Sequence, residues 1–234
     1  MILGDVCTRN CRFCAVDKSV NALMPPDPNE PANIAEMTNK LKLKHLVLTT
    51  VTRDDLKDGG ASQFVKIINS VHENCYNVSI EVLISDLEGD WDSLKKIVEA
   101  KPDIVNHNLE TVPRLYPDVR PMADYKRSLE LLKQAKQFDK EMITKSGIMV
   151  GLGETEDEVI ELMKDLREIG CNILTIGQYL SPSEHHHPVV KYVHPDIFKR
   201  YKEIGEEIGF IFVESGPLVR SSYHAERVRD FIKT

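Results

Sequence analysis

Three cysteines crowd into one short stretch near the start of the chain, Cys7-Thr8-Arg9-Asn10-Cys11-Arg12-Phe13-Cys14. Thiolates are the usual ligands of iron–sulfur clusters, and three at this spacing wrap three corners of one cubane. The fourth iron is then left without a protein ligand and is open to chelation. A zinc site needs a fourth Cys or His at finger-like spacing, and none follows locally. The spacing therefore predicts a [4Fe-4S] site on Cys7, Cys11 and Cys14.

The other two of the five cysteines, Cys75 and Cys171, stand alone. An odd, clustered count does not resemble a secreted disulfide framework. It fits a cofactor site in a reducing, cytoplasmic setting, with Cys75 and Cys171 as small apolar side chains at helix ends. The chain is 234 residues long, 41% apolar and 29% charged, close to soluble globular averages. A net charge of −7 offers no basic excess to hold a phosphate backbone, so nucleic acid is not the expected partner. No apolar run approaches the roughly 18 residues of a membrane span, and the N-terminus does not read as a signal peptide.

The elements that must hold the cysteines follow an alternating pattern. Strands are expected over 1–6, 45–50, 78–84, 104–108, 144–150 and 173–178, with helices over 31–43, 61–73, 91–100, 124–138 and 156–169. Trp91, Leu94 and Val98 fall on one helical stripe, and Asp90 stands where an N-cap would start that helix. This alternation implies a parallel sheet with right-handed crossovers. It holds too few units for a closed eight-fold barrel, so the expected fold is α/β, a partial (β/α)6 barrel over 1–180. Residues 181–234 form a C-terminal extension packed on the same domain. It contains a Pro/Ser/His-rich loop over 179–195, a helix over 195–208, a short strand over 210–213, a loop over 215–223 and a short helix over 225–232. The cysteines follow the first expected strand, at the C-terminal mouth where β/α barrels build their active sites.

This cysteine spacing resembles the radical S-adenosylmethionine (SAM) superfamily, in which the methionine amine and carboxylate chelate the open iron. One electron from the cluster then splits the sulfonium to a 5′-deoxyadenosyl radical that abstracts hydrogen from unactivated C–H bonds. No amino-acid acid or base does that at neutral pH, so the cofactor carries the chemistry. Gly147-Ile148-Met149-Val150-Gly151-Leu152-Gly153-Glu154 is similar to the superfamily's G-x-I-x-G-x-x-E pattern, with Met at the Ile position. The resemblance implies that Gly151 lets backbone approach the adenine. It also implies that the segment holding Thr50 and Asp54 binds the methionine amine, and that Asn108 and Glu110 hold ribose hydroxyls or the methionyl group. Phe13 and Lys145 complete the implied cofactor-binding set.

The stretch Ser215-Gly216-Pro217-Leu218-Val219-Arg220-Ser221-Ser222-Tyr223-His224-Ala225 resembles the signature of the lipoyl synthase family. So do Arg53-Asp54-Asp55-Leu56-Lys57-Asp58-Gly59-Gly60, Asn106-His107-Asn108-Leu109-Glu110, Thr144-Lys145-Ser146-Gly147, Gly177-Gln178-Tyr179-Leu180 and the His185-His186-His187-Pro188-Val189 loop. The resemblance implies insertion of sulfur at C6 and then C8 of an octanoyl chain. That chain is amide-linked to a lysine of a carrier, an H protein or an E2 lipoyl domain. One SAM is consumed per insertion, with a reductant such as flavodoxin or ferredoxin. It also implies a second, auxiliary [4Fe-4S] cluster that gives up its sulfur, held by three upstream cysteines and a serine. Ser221 or Ser222 is that serine, Ser221 the favoured one. A serine alkoxide is a poorer iron ligand than a thiolate and suits a cluster that must come apart. Arg220, grouped with these serines as catalytic, either meets a carrier carboxylate or tethers the tail.

One feature departs from the family: the upstream auxiliary-cluster cysteines are missing, since Met1 lies only six residues before Cys7. Either the chain is shortened at its N-terminus or a partner supplies those ligands, and the retained C-terminal signature favours shortening. On that expectation the chain alone splits SAM but donates no sulfur. Three adjacent histidines rarely converge on one ion, so the 185–187 loop is expected to contact the acyl chain or carrier. The competing readings are a biotin-synthase-like radical enzyme, which the RSSYHA tail disfavours, and a non-catalytic iron–sulfur or zinc scaffold.

Overall fold

The computed structural model describes residues 1–223. The helix expected over 225–232 lies outside the described residues. Six strands form one parallel sheet in the order β1 (His45–Thr49), β2 (Ser79–Leu83), β3 (Ile104–Asn106), β4 (Ile143–Val150), β5 (Ile173–Gln178) and β6 (Phe212–Gly216). Sequence order equals spatial order, with β1 and β6 as open edges, as a partial barrel requires. β5 is buried along its whole length and β4 along most of it, the pattern of parallel strands covered on both faces.

Helix α1 (Glu30–Lys40) precedes β1, and the crossovers carry α2 (Ala61–Asn74), α3 (Trp91–Glu99), α4 (Tyr116–Val119), α5 (Tyr125–Phe138), α6 (Glu156–Glu168) and α7 (Pro195–Glu207). Their starts are written in side chains. Asp90 accepts from the Ser93 amide at the head of α3, as its position predicts, and Asp124 does the same for Arg127 at α5. Thr155 and Glu158 form a reciprocal capping box on α6. Each such cap satisfies backbone donors that have no partner inside the helix. The inner faces, with Ile67, Ile68, Leu94, Ile97, Leu131, Leu132, Leu162 and Leu166, close the core against Ile80, Val82, Val105, Leu174 and Ile176.

Two expected elements are corrected. Residues 1–6 do not form a strand: Leu3 and Gly4 adopt left-handed backbone, φ 66° and 92°, which breaks an extended run. What remains is two isolated parallel bridges, Ile2 to Thr50 just past β1 and Val6 to Asp17. The last strand begins at Phe212 rather than 210, because the Phe210 amide closes the end of α7 on the Gly205 carbonyl. Its register, Ile173 to Phe212 through Gly177 to Gly216, makes residues 212–216 the sixth strand of the main sheet. The short α4 carried no clear sequence signal. Among the described residues no helix is long and apolar enough to cross a membrane.

Candidate active site

The cysteine loop lies at the mouth end of the sheet, past the Ile2–Thr50 bridge. Backbone ties fix it on both sides: Cys7 N–H donates to Asp17 O, Thr8 N–H to Thr52 O and Arg12 N–H to Val119 O. The Thr52 amide donates to the Cys7 sulfur at 3.4 Å. Cys7, Cys11 and Cys14 then line one hollow together with Phe13, Thr50, His107, Asn108, Glu110 and Arg120.

Arg9, inside the cysteine loop, anchors it electrostatically. Its guanidinium meets Asp54 through two hydrogen bonds of 2.9 and 3.0 Å and also reaches Asp86. Asp86 is 1% exposed and is held from its other side by Arg127 at 2.8 Å. Burial alone would raise the Asp86 carboxyl, but the hydrogen bond and charge of Arg9, with help from Arg127, hold it well below the usual carboxylate range. Arg53 works beside it, donating to the Leu3 and Met24 carbonyls while paired with Asp55. The segment after β1 thus braces the cysteine loop.

The opposite wall comes from the end of β3. Asn108 donates to the Glu110 carboxylate at 3.1 Å, and Glu110 sits in left-handed backbone at φ 67°, a strained setting for a non-glycine residue. Burial pushes the Glu110 carboxyl up, while Arg120 and Asn108 pull it partly back. Burial likewise pushes the Cys11 thiol up and Arg120 draws it down. Arg120 is itself buried, donating to the Asn108 and Leu109 carbonyls and to Tyr116. Two buried atoms of this wall, Asn108 Oδ1 and Arg120 Nε, have no hydrogen-bond partner, a costly state for a site without a polar ligand. His107 is driven down to about 4 by burial and by Arg120, and is neutral near neutral pH.

A second hollow adjoins the first and shares Phe13, Asn108 and Glu110 with it. Its far wall holds Gly147, Ile148, Met149, Thr175, Gly177, Val219, Arg220 and Ser221. The structure therefore brings Cys7, Cys11, Cys14, Phe13, Thr50, Asn108, Glu110, Arg220 and Ser221 to two adjoining chambers. Ser222 follows Ser221 in the chain but does not line either chamber.

Three expected cofactor residues lie elsewhere. Lys145 is 1% exposed and spans both oxygens of Glu81 at 2.8 and 3.0 Å. It stands opposite Asn106 in the register, about 13 Å of strand before Met149 at the mouth. Asp54 spends its carboxylate on Arg9 and Thr8. Gly151, at φ 99°, sits under the Gln178 side chain and the Lys191 carbonyl, each within 2.4 Å of where a Cβ would stand. Its amide is capped by Glu154 at 2.6 Å. Arg9, Asp86 and Arg120 were missed by sequence reading. The sequence hint is the position of Arg9 between Cys7 and Cys11. Cys171 is buried, its thiol pushed up to about 11 by burial, as expected of a packing residue.

Among the described residues no three His, Cys, Asp or Glu side chains converge on a point one metal ion would fill. A cubane spreads its corner thiolates over a wider base than a single ion does, so three thiols along one wall suit a cluster. The unpartnered Asn108 and Arg120 atoms beside them suit a polar ligand.

The radical SAM superfamily model matches residues 1–166. Lipoyl synthase from Caldanaerobacter subterraneus subsp. tengcongensis is 59% identical over 226 residues, covering 97% of this chain and 78% of the relative. Lipoyl synthase from Treponema denticola is 55% identical, covering 97% and 77%. The chain belongs to the lipoyl synthase family, within the radical SAM superfamily. Solved structures agree on the fold. SuiB of Streptococcus suis, bound to S-adenosylmethionine, superposes with a TM-score of 0.69 over 92% of this chain and 49% of its own, at 12% identity. Methylornithine synthase gives 0.67 over 94% and 72%, at 14% identity. Membership of the lipoyl synthase family implies a [4Fe-4S] cluster and SAM as cofactors.

Proposed function

We propose that this protein inserts sulfur at C6 and C8 of an octanoyl chain carried on a lysine of an H protein or E2 lipoyl domain, giving the lipoyl group. The observation that carries this reading is the common wall of Phe13, Asn108 and Glu110 between a thiol-lined chamber and one closed by Arg220 and Ser221. Hydrogen abstraction and sulfur delivery at one carbon need such neighbouring sites, held by a rigid frame.

Cys7, Cys11 and Cys14 would hold the radical-generating cluster. When bound, that cluster with SAM supplies the 5′-deoxyadenosyl radical, and a flavodoxin- or ferredoxin-like protein supplies the electron. Asn108, Glu110 and Arg120 offer a carbonyl oxygen, a carboxyl and a guanidinium to the polar groups of SAM. Thr50 and Phe13 complete that chamber. In the second chamber Ile148, Met149 and Val219 give the acyl chain an apolar surface, while Ser221 is the candidate ligand to a sulfur-donating cluster and Arg220 positions the segment that carries it.

The test is mass spectrometry of an octanoyl-lysine carrier peptide incubated with the protein, reconstituted with iron and sulfide and reduced in the presence of SAM. Gain of one and then two sulfur atoms is expected. SAM cleavage with a peptide that never gains sulfur would overturn the reading in favour of its competitor, a radical generator that splits SAM and donates no sulfur.

A further inference from the structure

Gly177 and Gly216 face each other in register on β5 and β6, below the Val219–Ser221 segment. They are not equivalent. A Cβ on Gly177 would stand 2.2 Å from the Val219 carbonyl oxygen, 3.1 Å from its carbon and 3.4 Å from Arg220 Nη1. A Cβ on Gly216 would meet only Val219 Cγ2, at 3.4 Å. Neither glycine adopts a left-handed φ, so any residue could take either backbone conformation. Gly177 is thus bare because of what lies on it, and what lies on it is main chain, which cannot rotate aside as a side chain can.

The same carbonyl is gripped from another side. Arg220 Nη1 donates to Val219 O at 2.7 Å, and the Val219 amide donates to Gly216 O at 3.1 Å. Val219 is 4% exposed, and the next two residues line the second chamber.

We propose that Gly177 is a positioning residue: its missing side chain sets the seat of the Val219 carbonyl, and through it the placement of Arg220 and Ser221 against the acyl chamber. The inference rests on the function proposed above. An added methyl group must push the segment out by about 1 Å, the difference between 2.2 Å and the 3.4 Å where ordinary contact begins. A shift of that size at a reacting centre costs about 100-fold. The thiol-lined chamber does not include Gly177.

The experiment compares Gly177→Ala, Gly216→Ala and the parent protein, all reconstituted. Hydrogen–deuterium exchange reads residues 217–223 and 7–14, and chromatography reads 5′-deoxyadenosine formed per sulfur inserted into the octanoyl peptide. Gly177→Ala is expected to speed exchange over 217–223 and not over 7–14, and to raise the ratio about 100-fold. Gly216→Ala is expected to match the parent in both. Parent-like behaviour of Gly177→Ala, equal effects of the two variants, or loosening of 7–14 alongside 217–223 would overturn the proposal. If Gly177→Ala does not fold, Arg220→Met removes the other grip on the same carbonyl and must loosen 217–223, or the proposal fails. A parent protein that inserts no sulfur would refute the proposed function, while the exchange result would still decide the seat of Val219.

Discussion

Asn108 donates to Glu110 at 3.1 Å across the wall shared by the two chambers. The bond fixes both side chains and leaves Asn108 Oδ1 without a partner. The wall is therefore preorganised and unsatisfied at once, as a binding surface is before its ligand arrives.

Glu110→Gln keeps the shape of this wall and removes its charge. Hydrogen bonds to charged groups contribute about 1.5–3 kcal/mol, so SAM affinity is expected to fall at least about tenfold. Calorimetric titration of SAM into the reconstituted protein reads this, with iron content unchanged.

Asp86 is the joint between the cysteine loop and α5, through Arg9 and Arg127. Asp86→Ala leaves the Arg9 guanidinium with Asp54 alone and takes the partner from Arg127, so the stability loss is expected to stay below the about 3–5 kcal/mol of a fully broken buried pair. The pH dependence has a definite sign. The folded carboxyl titrates below its ordinary value of 3.8, so its stabilisation is complete above that value and is lost as pH falls through the folded one. Urea denaturation from pH 7 to pH 3 should show a steeper acid loss in the parent than in the variant.

Lys145 distinguishes a buried ion pair from a cofactor ligand. Lys145→Met leaves Glu81 charged in the core with only Asn106 and His45 beside it. A stability loss of about 3–5 kcal/mol is expected, and Lys145→Met combined with Glu81→Leu should recover part of it, since the pair of substitutions removes the unpaired buried charge but leaves the buried Asn106 amide without its acceptor. SAM affinity in the double variant should equal that of the parent.

His187 ties the histidine loop to the mouth. Its backbone amide donates to the Arg12 carbonyl at 2.9 Å, and its Nε2 lies 2.9 Å from the Leu152 carbonyl. The Tyr179 hydroxyl donates to the His187 carbonyl at 2.6 Å. His187→Ala leaves the buried Leu152 carbonyl unpaired, at a cost of about 1–3 kcal/mol. Faster loss of iron to a chelator is the expected readout, because the Arg12 turn lies between two of the cysteines.

Much of this was legible in the residues. Helix starts at Asp90 and Ala61, and strands from 45, 144 and 173, follow from period and capping, which are local. Asn108, Glu110 and Ser221 reach adjoining chambers because each follows a strand, and parallel strands deliver such residues to one face, whereas the cysteine loop is brought there by backbone bonds to Asp17, Thr52 and Val119. What stayed hidden was pairing at a distance. Lys145 meets Glu81 across 64 residues and Arg9 meets Asp86 across 77, and no periodicity encodes which charge finds which. The same holds for 1–6, where a β-rich composition gave way to two left-handed residues.

Hydrogen abstraction from the acyl chain is the central claim, and isotope transfer tests it most directly. The reduced, reconstituted protein would be given SAM and a carrier peptide whose octanoyl chain is deuterated at C6 and C8, and the 5′-deoxyadenosine weighed by mass spectrometry. Singly deuterated 5′-deoxyadenosine is predicted, and it should vanish in Cys11→Ala. Deoxyadenosine formed in quantity without deuterium would contradict the account.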